Sequence, residues 1–178
     1  MGGGGELGFV MPYYKANNFI DFFEKSSIDD IKKNFNNILL FVDENIITCP
    51  LKEIKTDILR NKCLEIESRL QTAVQYNFSI ILHDILKEID KLPDTIELPV
   101  GRCHGDLTFS NILFLGQKIV LIDFLDNFIE TPLQDIVKLR QDTKHFWSLN
   151  LYNGEMDFIK IKMIFVVFYN LYKNNLNL

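Results

Sequence analysis

The residues with the clearest chemical potential are two aspartates and an asparagine near the middle of the sequence. Asp106 and Asn111 lie five positions apart in the run HGDLTFSN at residues 104–111, and Asp123 follows a short apolar stretch. A carboxylate can act as the base for an attacking hydroxyl, and carboxylate and amide oxygens can hold Mg²⁺ against phosphate groups. These residue types at this spacing therefore indicate phosphoryl transfer.

Two apolar runs between Asn111 and Asp123 predict the element that brings these side chains together. Residues 112–115 and 119–122 are apolar and β-branched, and the Gly-Gln pair between them fits a two-residue hairpin turn of type II′. The two ends of a tight hairpin lie side by side. Asn111 and Asp123 are therefore expected to face one cation.

Helices are predicted around this hairpin, because apolar residues recur at spacings of three and four. Ser27 and Asp30 are expected to form a cap at the start of one of them. The predicted helices cover residues 19–23, 28–42, 51–76, 81–92, 131–149 and 156–172. The sequence thus predicts a mainly helical α+β fold with one small β-hairpin.

Composition and charge exclude several classes of protein. Hydrophobic residues make up 47% of the chain and charged residues 24%, which is typical of a globular domain with a sizeable core. The net charge of −5 argues against a nucleic acid partner. No apolar run is long enough to cross a membrane, no signal peptide opens the chain, and three scattered cysteines suit a reducing compartment. We therefore expect a cytoplasmic protein without a membrane partner.

The central stretch resembles the aminoglycoside phosphotransferase and choline kinase family, which shares the protein-kinase fold. The pattern of that family is H-G-D-L-x-x-x-N-I-L, then I-D-F-x-D, then P-x-x-D. Residues 104–113, 122–126 and 132–135 match these three parts in order. The resemblance predicts a protein-kinase-like catalytic C-lobe in which the small hairpin carries the metal-binding loop.

The resemblance also implies a role for each motif residue. Asp106 would be the catalytic base, while Asn111 and Asp123 would hold Mg²⁺ on the phosphates of ATP or GTP. His104 would brace the loop and Asp135 would anchor it from the next helix, both as structural support. The γ-phosphate would pass to a hydroxyl of a small molecule, such as a sugar, an aminoglycoside or an amino alcohol.

The family places a β-rich lobe with a nucleotide-contacting lysine before the helical lobe, and nothing before Met11 supplies it. Residues 1–8 are interpreted as a flexible glycine-rich leader or a cloning remnant. Residues 9–18 are interpreted as a hinge-like linker in which Met11 and Tyr13 contact the nucleotide. Residues 19–178 would then be a catalytic lobe without its N-terminal lobe, able to self-associate or bind a partner through the exposed inter-lobe face.

The sequence also allows two other interpretations. Without the phosphate-contacting lysine, the lobe could be a catalytically silent module that binds a ligand or a protein. A protein kinase is disfavoured, because Gly105 stands where those enzymes have the arginine of His-Arg-Asp, and no Asp-Phe-Gly follows. Residues 108–110 read TFS where many relatives have His-Pro-Gly, which leaves the shape of the acceptor pocket open.

Overall fold

The computed structural model describes residues 15–73 and 79–175 of the 178-residue chain. This part is mainly helical and contains two small antiparallel sheets, so the predicted mainly helical α+β class is confirmed. The helices are α1 (Phe19–Lys25), α2 (Ile28–Thr48), α3 (Asp57–Ala73), α4 (Ser79–Ile89), α5 (Leu133–His145), α6 (Trp147–Leu151) and α7 (Phe158–Asn175). The strands are β1 (Leu51–Lys55), β2 (Thr95–Pro99), β3 (Ile112–Leu115) and β4 (Lys118–Leu121).

The chain divides into two compact units. Unit 1 contains the described residues up to Phe41, the segment Asp106–Phe124 and the described residues from Val137 onward. Unit 2 contains Val42–Gly105 and Leu125–Ile136. The hairpin of β3 and β4 therefore belongs to unit 1, and the sheet of β1 and β2 belongs to unit 2.

Phenylalanine rings fill the core of unit 1. The fully buried ring of Phe109 packs edge-on against Phe23, with 5.4 Å between centroids, and stacks on Phe165 at 4.9 Å. Aromatic pairs of this kind contribute about 0.5–1.5 kcal/mol beyond the area that they bury. Phe109 also begins a 3₁₀ turn that ends at Asn111. The aromatic core therefore fixes the turn that presents Asn111.

The predicted hairpin is confirmed. Strands β3 and β4 pair antiparallel, with Ile112 opposite Leu121 and Leu115 opposite Lys118. Gly116 has a φ of 60°, in the left-handed region that tight hairpin turns require and glycine adopts without strain. The ends of the hairpin thus meet beside Asn111.

The predicted cap of α2 is also present. The Ser27 hydroxyl oxygen accepts a hydrogen bond from the Asp30 backbone N–H at 3.2 Å, and the hydroxyl donates to the Asp30 carboxylate at 2.7 Å. This reciprocal pair satisfies an N–H group that the first turn of the helix would otherwise leave unpaired. The helix accordingly begins at Ile28.

The helix predicted from residue 51 is wrong over its first five residues, which form β1. This strand pairs antiparallel with β2, placing Leu51 opposite Pro99 and Ile54 opposite Ile96. Leu51 and Ile54 are three positions apart, a spacing that suits a helix. Because β1 is exposed along nearly its whole length, it lacks the alternation of buried and exposed residues that identifies a strand.

The helix predicted over residues 131–149 is interrupted at Phe146, which has a φ of 57° and separates α5 from α6. The Ser148 backbone N–H donates to the Asp142 carboxylate at 2.7 Å. A side chain therefore satisfies a donor that an unbroken helix would pair with a backbone carbonyl. The spacing of apolar residues does not indicate where a side chain replaces a backbone carbonyl as the hydrogen-bond acceptor.

Candidate active site

Asp106 and Asn111 meet in unit 1. The Asn111 Nδ2 donates to the Asp106 Oδ2 and to the Asp106 carbonyl oxygen, each at 2.9 Å. Both residues are half-buried. Since the amide nitrogen is committed to Asp106, the amide oxygen is the atom of Asn111 that a cation would use.

Short backbone hydrogen bonds close the loop between these two residues. The Thr108 N–H donates to the Asp106 carbonyl oxygen at 2.8 Å, and the Asn111 N–H donates to the Thr108 carbonyl oxygen at 3.0 Å. The Thr108 and Ser110 hydroxyls are also 2.8 Å apart. The loop therefore holds the Asp106 and Asn111 side chains together through its own local bonds.

Asp123 comes directly after Ile122, the residue that pairs with Asn111 across the hairpin. The Ile122 N–H donates to the Asn111 carbonyl oxygen at 3.1 Å, which extends the pairing beyond Ile112 and Leu121. Asp123 is exposed and has a φ of 57°, in the left-handed region. Aspartate is one of the few non-glycine residues enriched there, and backbone strain of this kind clusters at functional sites.

The donor chemistry of Asn111 and Asp123 fits Mg²⁺. An amide oxygen and an exposed carboxylate are hard oxygen ligands, and Mg²⁺ is generally held by one or two carboxylates together with substrate phosphates and waters. Within residues 15–73 and 79–175 there is no group of three or more His, Cys, Asp and Glu residues that could hold a metal ion. The assignment of Asn111 and Asp123 as magnesium ligands therefore stays a prediction.

In unit 2, Asp135 contacts the backbone that leads into Asp106. Its carboxylate accepts hydrogen bonds from the His104 N–H and the Gly105 N–H, each at 2.8 Å. Asp135 and His104 are fully buried. Hydrogen bonds to a buried carboxylate are about twice as strong as neutral ones. Asp135 thus fixes the backbone of the two residues that precede Asp106.

Two of the predicted nucleotide-contacting residues have no described position. Met11 and Tyr13 lie outside the described residues. Their predicted contact with a nucleotide therefore stays a prediction.

A model of the phosphotransferase enzyme family matches residues 59–153, which is more than half of the chain and includes every residue from His104 to Asp135. The chain belongs to this family. The family resemblance based on the HGDL run and the motifs after it is thereby confirmed, as is the general prediction of a kinase-like phosphotransferase. Comparison with curated proteins and with solved structures gave no match.

Sequence reasoning missed Lys138 of this phosphotransferase. Its Nζ lies 2.9 Å from the Asp106 Oδ1, and the two side chains are 27% and 25% exposed. Lys138 lies outside the matched motifs. The one signal that could have found it is its position in α5, three residues after Asp135.

Sequence reasoning also missed Asp142, which is fully buried in unit 1 of the phosphotransferase. Its carboxylate accepts from the Phe109 N–H, the Ser148 N–H and the Ser148 hydroxyl. Burial raises the pKa of Asp142, the charge of Asp106 adds to this, and the bonds from Ser148 and Phe109 oppose it. Asp142 therefore secures the beginning of the 3₁₀ turn that ends at Asn111.

Replacing Asp142 with asparagine is expected to lower the free energy of unfolding by about 1–3 kcal/mol. The substitution exchanges one carboxylate oxygen for an NH₂ group, which faces a donor and leaves it unsatisfied. Urea unfolding followed by circular dichroism measures the loss. The control is Asp84→Asn, because Asp84 is exposed on α4. Equal midpoints for the two variants would contradict the structural role of Asp142.

The pH dependence of stability gives a second readout of Asp142. Because its pKa is raised in the folded state, the native protein binds this proton more tightly than the unfolded chain does. The contribution of Asp142 to stability is therefore full below its unfolded pKa and is lost as the pH rises through its folded pKa. The Asp142→Asn variant should lack this decline in urea titrations at successive pH values.

A cavity of about 730 Å³ in unit 1 of the phosphotransferase contains none of the predicted site residues. It lies between the beginning of α2 and α7. Its largely apolar lining consists of Ser26, Ser27, Ile28, Ile31, Lys32, Phe35, Asp157, Ile159, Lys160, Met163, Ile164 and Val167. Asp106, Asn111 and Asp123 do not line this cavity.

In the described part of the chain, no helix combines the length and the apolarity that a membrane span requires.

Proposed function

We propose that this phosphotransferase uses Mg²⁺ to transfer the γ-phosphate of ATP or GTP to a hydroxyl of a small molecule. The observation that carries the proposal is the direct hydrogen bond between Asp106 and Asn111. Asp123 comes directly after Ile122, whose backbone pairs with that of Asn111. Phosphoryl transfer depends mainly on positioning and charge stabilisation. A carboxylate and two oxygen ligands held on one loop and hairpin meet that requirement.

Asp106 is the proposed catalytic base. It is half-buried, and Asn111 orients its carboxylate. The carboxylate accepts a hydrogen bond from the acceptor hydroxyl, which directs the hydroxyl oxygen toward the γ-phosphorus. As the new oxygen–phosphorus bond forms and the bond to the nucleotide breaks, the hydroxyl proton passes to Asp106.

Asn111 and Asp123 are the proposed metal ligands, through the amide oxygen and the carboxylate respectively. When bound, Mg²⁺ neutralises the charge that develops on the phosphate oxygens. The exposure of Asp123 leaves its carboxylate accessible to a nucleotide-bound cation. Because the Asn111 amide also contacts Asp106, this one side chain links the metal site to the base.

His104 and Asp135 are the proposed structural supports. The bonds from the His104 and Gly105 N–H groups to the buried Asp135 carboxylate restrain the chain directly before Asp106. The family resemblance favours a sugar, an aminoglycoside or an amino alcohol as acceptor. The scattered cysteines, which suit a reducing compartment, support a cytoplasmic location.

The experiment that tests this function is transfer of ³²P from [γ-³²P]ATP or [γ-³²P]GTP, in Mg²⁺, to panels of sugars, aminoglycosides and amino alcohols. Labelled acceptor, resolved by thin-layer chromatography and abolished by EDTA, is the expected result. Nucleotide binding without transfer to any acceptor would contradict it. That outcome would favour the catalytically silent binding module.

A further inference from the structure

The ion pair between Lys138 and Asp106 is partly sheltered from solvent. Its side chains are 27% and 25% exposed, whereas those of Lys25 and Asp21 are 70% and 42% exposed and those of Lys91 and Glu88 are 68% and 71% exposed. Exposed pairs are largely screened by water and salt, and contribute little to geometry. A half-buried pair restrains both partners more strongly.

The two oxygens of the Asp106 carboxylate have different partners. Lys138 Nζ lies 2.9 Å from Oδ1, and Asn111 Nδ2 donates to Oδ2 at 2.9 Å. A carboxylate held at both oxygens cannot rotate without breaking a charge-assisted bond. The pair of contacts therefore selects one orientation of Asp106.

The backbone of Lys138 is itself held by buried neighbours in unit 1. Leu139 is fully buried, and Asp142 bonds to the Phe109 and Ser148 N–H groups. Phe109 begins the turn that ends at Asn111. The helix that carries Lys138 and the loop that carries Asn111 are thus fixed to each other within unit 1.

We infer that Lys138 is a positioning residue for phosphoryl transfer, holding the Asp106 carboxylate in the orientation that receives the acceptor hydroxyl. The inference rests on the proposed function, in which Asp106 is the base. The ammonium of Lys138 has three N–H donors. It can therefore keep a hydrogen bond to the Asp106 carboxyl group while the proton of the acceptor hydroxyl is transferred to it. A methionine at this position fills similar space but cannot form the ion pair with Asp106.

The first test needs neither nucleotide nor acceptor. The side-chain NH₂ signals of Asn111 are compared by ¹H–¹⁵N NMR in the parent chain, Lys138→Met and Lys144→Met. Lys144 is exposed near the end of the same helix and serves as the matched control. The Asn111 signals should shift in Lys138→Met and stay in place in Lys144→Met. Unchanged signals in Lys138→Met would overturn the inference.

The second test measures hydrolysis of Mg·ATP, with water as the acceptor, beside the affinity for Mg·ATP. Lys138→Met should lower the maximal rate by at least about tenfold at nearly unchanged affinity, because misplacement of a reacting group acts on the chemical step. Lys138→Arg keeps the charge and should recover part of the rate. A Lys138→Met variant as fast as the parent would overturn the inference.

The two tests separate this inference from the proposed function. A parent chain that neither binds nor hydrolyses Mg·ATP counts against the proposed function. The Asn111 signals still decide whether Lys138 holds Asp106, since that contact exists without nucleotide.

Discussion

Asp106→Asn is expected to lower the rate of phosphoryl transfer by about 10²–10⁴-fold, with little change in nucleotide affinity. Asparagine has nearly the same shape and can still accept one hydrogen bond from Asn111 or Lys138. Its amide cannot take the proton of the acceptor hydroxyl. The rate is measured at saturating nucleotide with an acceptor from the ³²P panel, and affinity is measured by calorimetry.

The matched control for Asp106→Asn is Asp94→Asn, because Asp94 is exposed and lies outside the motifs. That variant should transfer phosphate at the parental rate. If Asp106→Asn retained the parental rate as well, Asp106 would not be the base. A loss of nucleotide affinity at an unchanged maximal rate would instead give it a role in binding.

Gly105→Ala is expected to be strongly destabilising. Gly105 has a φ of 84°, and a Cβ there would overlap the Leu125 carbonyl oxygen and the Asn127 side chain. The left-handed backbone costs an alanine about 1–2 kcal/mol, and overpacking against neighbouring atoms adds about 1–3 kcal/mol. Urea unfolding measures the sum, and the same variant should lose phosphoryl transfer because Gly105 directly precedes Asp106.

Gly116→Ala separates the two contributions. Gly116 also has a positive φ, of 60°, but a Cβ there would meet nothing within 4 Å. It should therefore show the backbone cost alone, about 1–2 kcal/mol. Equal losses of stability in the two variants would contradict the close approach at Gly105.

The hairpin and its flanking polar residues could be predicted because their signals are local. Two apolar runs around Gly116 specify a turn, and the turn brings Asn111 beside the strand that ends at Leu121. The cap at Ser27 is local in the same way, since its partner is three residues away. Patterns of this length are visible in a single sequence.

The remaining features depend on partners distant in sequence. Residues 51–55 form a strand because Thr95–Pro99 pairs with them, and an exposed strand carries little periodicity of its own. The break at Phe146 accompanies a bond from Ser148 to the Asp142 carboxylate. Local spacing contains no information on either contact.

Lys138 was missed for a related reason. On a predicted helix, a single lysine is ordinarily a solvated surface residue. Lys138 lies in α5, whereas its partner Asp106 lies in a loop that precedes both β3 and β4. The two residues are therefore distant in sequence. Only the packing of unit 1 brings the ammonium to the carboxylate.

The most direct test of the central claim is calorimetric titration of the chain with ATP in Mg²⁺, beside Asp123→Asn and the control Asp94→Asn. Asparagine tolerates the left-handed backbone at position 123 and removes the charge that would hold the metal. We expect Mg²⁺-dependent binding that weakens by at least about tenfold in Asp123→Asn and is unchanged in the control. Absence of Mg²⁺-dependent binding, or equal affinity in Asp123→Asn, would contradict a phosphotransferase site on these residues.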